Sequence, residues 1–156
     1  MGGSPSTFSG ERLPVEQVDL AAAESFCRRF VMALPTEQQW EHACRAGTSG
    51  PWTCGDPALL PEFAWFDRNA GASTHPVGEK KPNAFGLLDI IGNVWEWCRP
   101  ELVVPARDPR CRGGAWTSDV RQLQSSWRLS YPAATRMGIL GLRPIREVLA
   151  GEVTRR

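Results

Sequence analysis

Two amphipathic segments stand near the start of the chain, and each predicts a short helix. In "DLAAAESFCRRF" the apolar residues recur at helical spacing and share one face: Leu20, Ala23, Phe26, Cys27 and Phe30. Asp19 precedes this segment as an N-cap residue. In "LPTEQQWEHACRAG", Thr36 and Gln39 have the spacing of a capping box, and Gly47 ends the predicted helix.

The middle of the chain has no helical periodicity. Gly, Pro and Asn recur over residues 48–83, which is typical of a loop. A loop of this length stays ordered only where its own side chains anchor it. The aromatic residues available for this purpose are Trp52, Phe63, Trp65 and Phe66. We therefore expect a long ordered loop between the helices and the second half of the chain.

Short runs rich in β-forming residues follow the loop and predict strands. They are "NVWEW", "RCRGGAW", "QSSWRLSY" and "LGLRPIRE". Together with the helices they predict an α+β fold with two short helices, a small twisted antiparallel sheet and long ordered loops. We interpret residues 1–156 as a single domain, because the length suits one domain and no linker interrupts the chain.

Composition and charge narrow the possible partners. The formal net charge of +1 gives no field that would attract nucleic acid or an anionic membrane. No apolar run approaches the roughly 20 residues that cross a bilayer. The start has no basic segment followed by an apolar one, so we expect a cytoplasmic, bacterial-type protein without a signal peptide. The five cysteines form no CxxC pair, which argues against a zinc cluster.

Several longer motifs occur in a fixed order over residues 4–146. They are "LPVEQVDLAAAESFC", "LPTEQQWEHACRAGT", "AWFDRNAGASTHPVGEKKPNAFGLLDIIGNVWEWC", "RGGAW" and "LGLR". This series resembles the formylglycine-generating enzyme family, also called sulfatase-modifying factor domains, and implies the C-type lectin fold. Members of that family carry a further N-terminal part before the point where Met1 stands, so the chain resembles an N-terminally short form. Loss of strands would expose a sheet edge, and we expect a homo-oligomer or a partner chain to cover that side.

The resemblance also bears on catalysis. Catalytic members of the family oxidise a substrate cysteine to formylglycine with copper that is held by two cysteines. The resemblance places that pair at Ser118 and Leu123, within "GGAWTSDVRQLQ". A hydroxyl is a poor ligand for a soft metal, and a leucine side chain is none. We therefore expect no copper and no catalytic residues. The alternative is a metal-dependent oxidoreductase with an altered site, in which Cys54 or Cys111 would hold copper or iron.

A structural calcium ion is a second implication of the resemblance. In the family, the segment that matches "LLDIIGNVWEW" surrounds calcium, and the ligands would be the side chains of Asp89 and Glu96 and the carbonyls of Gly92 and Val94. Calcium prefers such mixtures of carboxylate and carbonyl oxygens. In the alternative interpretation, Asp89 caps a turn and Glu96 pairs with an arginine.

Without the thiol pair, we predict a noncatalytic module that binds a protein or a small-molecule ligand. Its binding surface would lie on the loops around residues 117–123 and 129–139. The exposed positions would be Thr117, Ser118, Asp119, Arg121, Leu129, Ser130, Tyr131 and Arg136. Variable proteins of diversity-generating retroelements, which are similar to this family, bind through the same region, and the spacing of "RGGAW", "QSSWR" and "LGLR" resembles theirs. A further alternative is a truncated relative whose activity needs the missing part from another chain.

Overall fold

The computed structural model of the chain describes residues 4–99 and 109–146. The predicted domain limits at residues 1 and 156, and the last residue of "LGLRPIRE", lie outside these ranges. Both predicted helices are present. α1 spans Leu20–Arg29, and the Asp19 carboxylate accepts a hydrogen bond from the Ala22 amide (2.8 Å). α2 spans Glu37–Arg45.

The predicted capping box holds the start of α2. The Gln39 amide donates to Thr36 Oγ1 (3.1 Å), and the Thr36 amide donates to Gln39 Oε1 (2.9 Å). The helix ends at Arg45, and its C-cap residue Ala46 adopts the left-handed conformation one residue before the predicted Gly47. Local signals in the sequence therefore locate this helix to within one residue.

The predicted loop contains two single-turn helices that the sequence pattern did not indicate. A 3₁₀-helix spans Pro57–Leu59, and α3 follows at Leu60–Phe63. Proline indicated a loop, but its fixed φ also suits the first turn of a helix. The aromatic anchors behave largely as expected: Phe66 is buried, and Trp52 packs against the same apolar cluster. No helix in residues 4–99 or 109–146 is long and apolar enough to cross a membrane.

All four predicted strands are present, and each is shorter than its sequence run. The strands are β1 (Trp95–Trp97), β2 (Arg110–Arg112), β3 (Arg128–Ser130) and β4 (Leu140–Gly141). They form one sheet in the order β3-β2-β1-β4. β2 is antiparallel to both of its neighbours, with Glu96 opposite Arg112 on one side.

The sheet is mixed, so the prediction of an antiparallel sheet is wrong in one respect. β4 runs parallel to β1, with Trp95 beside Leu140 and Glu96 beside Gly141. After β3 the chain returns across α1, where the Leu20 amide donates to the Ala133 carbonyl (3.0 Å). It then enters β4 on the far side of β1. A connection of this length permits the parallel arrangement.

The core consists of two apolar clusters that are divided by the alternation of side chains along β1. Trp95 and Trp97 pack with α1 and Cys111 in the first cluster. Cys98 packs with Trp40 of α2 and Leu60 of α3 in the second. The sheet therefore lies between α1 on one face and the other helices on the opposite face.

The outer end of α1 differs from the prediction. Its buried stripe is narrower than its apolar stripe, so Phe26 and Phe30 are exposed and contact each other with ring centroids 4.8 Å apart. The chain then turns at Val31, which has φ +54° and is 86% exposed. A β-branched residue is strained in this left-handed region. The turn thus carries a conformational cost that no burial of Val31 offsets.

We expect Val31→Gly to raise the free energy of unfolding by about 0.5–1 kcal/mol. The left-handed conformation costs a residue with a Cβ about 1–2 kcal/mol, so removing the Cβ stabilises the folded state. Glycine also has more conformational freedom in the unfolded chain, which offsets roughly 0.5–1 kcal/mol of that stabilisation. Urea denaturation measures the change. Val31→Ala keeps the Cβ and should raise the free energy of unfolding by less than Val31→Gly does. A loss of stability in Val31→Gly would show that the valine side chain makes a stabilising contact.

Candidate functional site

The first predicted binding loop follows β2 and is built around a buried hydroxyl. Ser118 Oγ accepts a hydrogen bond from the Ala115 amide (2.9 Å), and Ser118 is 1% exposed. Leu123 is fully buried in the second core cluster. A Cβ at Gly114 (φ +82°) would lie 2.6 Å from Leu123 Cδ2, so the backbone approaches this side chain closely. The prediction that Ser118 is an exposed binding residue is therefore wrong, because its hydroxyl satisfies a buried amide.

The neighbours of Ser118 do reach the surface. Thr117, Asp119 and Arg121 are exposed. The Asp119 carboxylate accepts hydrogen bonds from the Arg121 amide (2.8 Å) and the Gln122 amide (3.0 Å). Such side-chain contacts to the backbone fix a turn. The loop thus presents Thr117 and Arg121 on a hydrogen-bonded backbone.

The second predicted binding segment begins in β3. Ser130 is exposed, and its hydroxyl contacts the Arg110 guanidinium. Leu129 and Tyr131 are half-buried and pack against the first core cluster, so they are less exposed than predicted. Burial raises the pKa of the Tyr131 hydroxyl. Alternation along the strand explains the difference, because neighbouring side chains point to opposite faces.

Arg136 lies in the same segment but is not free. Its Nε and Nη2 atoms lie 2.9 and 2.7 Å from Asp19 Oδ2 at the start of α1. The Ala22 amide and the Arg136 guanidinium lower the pKa of the Asp19 carboxyl. This ion pair ties residues 131–139 to α1, so Arg136 positions the segment and its predicted role in direct binding is weakened.

Trp116 connects the two loops. Its indole N–H donates to the Gly138 carbonyl (3.1 Å), and its ring meets the Phe8 ring edge-on at 5.9 Å between centroids. This contact brings the first loop beside the second segment. We use the name loop face for the surface of these two segments, which carries the predicted residues Thr117, Asp119, Arg121, Leu129, Ser130, Tyr131 and Arg136. Trp127 lies between the two segments along the chain and is exposed, which no pattern in the sequence indicates.

The five cysteines are free thiols, and burial raises the pKa of each. Cys98 and Cys111 belong to different core clusters, and burial raises the pKa of each thiol. Burial also raises the pKa of Cys44 to about 11. Cys54 is half-buried, and its Sγ donates to the Asp56 carbonyl (3.3 Å). A thiol must be ionised to bind a metal or attack a substrate, so these environments do not favour either role.

The histidines do not complete a metal site. His42 contacts the Phe85 ring, with centroids 5.7 Å apart. His75 stacks on Trp65 at 3.7 Å, and its Nε2 lies 2.7 Å from the Ala70 carbonyl. Within residues 4–99 and 109–146, no three His, Cys, Asp or Glu side chains converge to hold a metal ion. The alternative oxidoreductase thus lacks a ligand set in the described part of the chain.

The four predicted calcium ligands lie together in the wall of a cavity of about 620 Å³: Asp89, Gly92, Val94 and Glu96. Gly92 has φ +80°, and a Cβ there would lie 2.4 Å from the Trp65 carbonyl oxygen. Glycine is therefore required at the centre of this turn. This turn lies directly before β1. Glu96, the last of the four predicted ligands, belongs to β1 and is buried.

The Glu96 carboxylate is fully engaged by two donors. Trp40 Nε1 donates to Oε2 (2.7 Å), and Arg143 Nε lies 2.9 Å from Oε1 and 3.1 Å from Oε2. Burial raises the pKa of Glu96, and the Arg143 guanidinium opposes that rise. The same contact raises the pKa of Arg143, so the guanidinium stays charged.

Asp89 acts as a turn cap, as in the alternative interpretation. The residue has φ +52°, and its Oδ2 accepts a hydrogen bond from the Gly78 amide (2.6 Å). Its Oδ1 is buried without a hydrogen-bond partner and would suit a cation. The Asp89 carbonyl, however, already accepts a hydrogen bond from Arg143 Nη2 (3.0 Å).

These contacts do not fit the predicted calcium ion. The ligand set needs Glu96, and both of its carboxylate oxygens already bind Arg143 or Trp40. The guanidinium would also stand beside a divalent cation and repel it. Calcium binding remains a prediction, and the observed geometry is that of a carboxylate paired with an arginine.

Comparison with known proteins adds a family context. A profile of the sulfatase-modifying factor enzyme 1-like domain matches residues 2–148. The formylglycine-generating enzyme of Mycobacterium tuberculosis is 42% identical over 101 residues, which cover 57% of this chain and 34% of that enzyme. The inactive C-alpha-formylglycine-generating enzyme 2 of Bos taurus is 31% identical over 122 residues, which cover 66% of this chain and 38% of that protein. The chain thus spans little more than a third of the length of these two relatives.

Among solved structures, Treponema denticola variable protein 1 superposes with a TM-score of 0.81 and 26% sequence identity. The superposition covers 94% of this chain and 79% of that protein. The structural similarity therefore extends over most of both chains.

We expect Ser118→Ala to lower the free energy of unfolding by about 1–3 kcal/mol, because the buried Ala115 amide would lose its acceptor. Thr117→Ala, one residue earlier and exposed, is the matched control and should change stability by less than about 0.5 kcal/mol. Denaturant unfolding of the two variants makes the comparison. Equal, small effects would contradict the capping role of the Ser118 hydroxyl.

The Asp19–Arg136 pair predicts a pH dependence. Because the folded-state pKa of Asp19 is lowered, its stabilisation is complete above the unfolded pKa of about 3.9 and is lost as the pH falls through the folded pKa. Asp19→Asn keeps an N-cap side chain but removes the charge. We expect the variant to be less stable than the wild type at neutral pH, with the difference shrinking on acidification. Thermal unfolding of the variant and the wild type from neutral to acidic pH measures this difference in stability. A difference that stays constant with pH would exclude the ion pair as its cause.

Proposed function

The chain belongs to the family of the sulfatase-modifying factor enzyme 1-like domain, with its C-type lectin-like α+β fold, and from this premise we propose that it is a noncatalytic binding module. Its binding surface is the loop face, with Thr117, Asp119, Arg121 and Ser130 as the exposed contacts. Tyr131 is a half-buried anchor at the edge of this surface. The partner is a protein or a small-molecule ligand.

The observation that carries this proposal is that Ser118 and Leu123, where the resemblance places the catalytic cysteines, both make contacts that hold the fold together. Ser118 caps the Ala115 amide, and Leu123 fills the second core cluster beside Gly114. Neither side chain can ionise to hold a soft metal. The positions that carry the chemistry in the catalytic relatives are thus part of the scaffold in this chain, while the residues around them face solvent.

The relatives support a binding role. One family member is named as an inactive form of the enzyme, so this fold exists without the activity. The similar structure is that of a variable protein. We further propose that this chain is a variable protein of a diversity-generating retroelement, in which the loop face carries the residues that differ among copies.

The geometry of the loop face suits this use. Asp119 fixes the first loop through backbone amides, and Arg136 fixes the second through Asp19. Trp116 joins the two. Thr117, Arg121 and Ser130 contribute no side chain to these contacts, so their side chains can change without loss of the framework. Rigid backbone that presents changeable side chains lowers the entropic cost of binding.

A randomised library tests the proposal. Thr117, Arg121, Ser130 and Tyr131 would be varied together with Asp119 kept, displayed on yeast, and scored for resistance to protease and for binding to a panel of purified proteins. We expect most members to fold and some to bind single targets. A matched library at Ala115, Ser118, Leu123 and Leu140, all of which are buried, should be mostly unfolded. Equal losses of folding in the two libraries would contradict a separate binding face.

The oxidoreductase alternative predicts a different result. A copper- or iron-dependent enzyme would consume oxygen in the presence of a cysteine-containing peptide and convert that cysteine to an aldehyde. We expect neither oxygen consumption nor a mass change in the peptide with copper or iron added. Turnover in wild type that is lost in Cys54→Ser or Cys111→Ser would overturn the noncatalytic assignment.

A further inference from the structure

We propose that the Arg143 guanidinium takes the place of a divalent cation at the turn before β1, so that this chain folds fully without calcium. The Arg143 guanidinium binds the Glu96 carboxylate and the carbonyls of residues 88 and 89. These contacts are independent of the loop face and of its ligand.

The oxygen atoms around Arg143 are the kinds that calcium uses. The guanidinium contacts the two oxygens of a carboxylate through Nε at 2.9 and 3.1 Å. Its Nη2 donates to the carbonyls of Leu88 (3.1 Å) and Asp89 (3.0 Å) and lies 2.9 Å from Glu96 Oε1. Calcium is bound by the same mixture of carboxylate and backbone carbonyl oxygens. A guanidinium can satisfy several such acceptors at once, because its five N–H groups point in fixed directions.

Charge makes the two cations exclusive. Glu96 is buried and carries one negative charge, which Arg143 neutralises. Calcium at the same carboxylate would add two positive charges within a few ångströms of the guanidinium and would be repelled by it. The ion could bind Glu96 only if the Arg143 guanidinium moved away.

The position of Arg143 is set by β4. Gly141 pairs with Glu96 in the parallel register. A Cβ at Gly141 would lie 2.4 Å from the Val15 carbonyl oxygen and 3.1 Å from a methyl group of Val94, so the backbone is held tightly on both sides. Two residues later, the Arg143 side chain reaches back to the carboxylate. The strand pairing therefore delivers the cation to its site.

Thermal unfolding with and without calcium tests the proposal. For wild type, we expect the same Tm in excess EGTA and in excess calcium, and metal analysis should find no stoichiometric calcium. Arg143→Ala leaves a buried carboxylate without its counter-ion, so its Tm in EGTA should fall. Calcium should then raise the Tm of Arg143→Ala, increasingly with concentration, as binding to the folded state requires. Magnesium, which needs a stricter octahedral site, should restore less.

Two further variants separate ion binding from general effects. Arg143→Lys keeps a cation near Glu96 and should show no response to calcium. Arg143→Ala combined with Glu96→Gln removes the carboxylate, and calcium should no longer raise its Tm. If Arg143→Ala does not fold in either buffer, Arg143→Gln, which keeps a neutral donor for the carbonyls, takes its place. The proposal would be overturned by a wild type that holds one calcium per chain and loses stability in EGTA. It would also be overturned if calcium did not change the Tm of the folded Arg143→Ala or Arg143→Gln variant.

Discussion

A buried negative charge in the central strand constrains the whole fold. Glu96 lies in β1, between β2 and β4, and its carboxylate is almost completely shielded from water. An ionised carboxylate in such a place costs several kcal/mol unless charged or polar donors surround it. Trp40 brings α2 to this carboxylate, and Arg143 brings the segment that follows β4. The same guanidinium then holds the carbonyls of the preceding turn. One requirement thus fixes a helix, a strand end and a loop relative to the sheet.

Contacts of α2 connect the Glu96 site to the loop face. Arg112 of β2 is almost completely buried beneath the same helix and contacts Glu41. Its Nη1 donates to the carbonyls of Ser126 (2.7 Å) and Trp127 (2.9 Å), which immediately precede β3. The ring of Trp40, which donates to Glu96, also lies under the Arg112 guanidinium at 5.4 Å. Trp40 contacts Glu96 through its indole N–H and the buried Arg112 through its ring, and it thereby connects the centre of the sheet with the segment that leads into β3.

The sequence predicted the features that depend on neighbouring residues and missed those that depend on distant ones. Asp19 and the Thr36–Gln39 pair marked the helix starts, because capping acts over three residues. The direction of β4 could not be predicted, since it depends on the path of the chain between β3 and Leu140. The resemblance to variable proteins places Ser118 on an exposed loop, yet its hydroxyl caps a buried amide. The sequence leaves calcium or an arginine as the partner of Glu96, and it does not identify the arginine, which lies 47 residues further along the chain.

The same long-range packing means that cysteines at residues 118 and 123 would disturb contacts that the present side chains make. Leu123 fills the space opposite Gly114, where a Cβ would already be 2.6 Å from its methyl group. A thiol at this position would be smaller than leucine and would leave a cavity in the core. A thiol at 118 would remove the oxygen that caps the Ala115 amide, and sulfur is a weaker acceptor. Burial would also raise the pKa of both thiols, as it does at Cys98 and Cys111. Ser118 and Leu123, at the two positions where the resemblance places the catalytic cysteines, are therefore integrated in the packing of this chain.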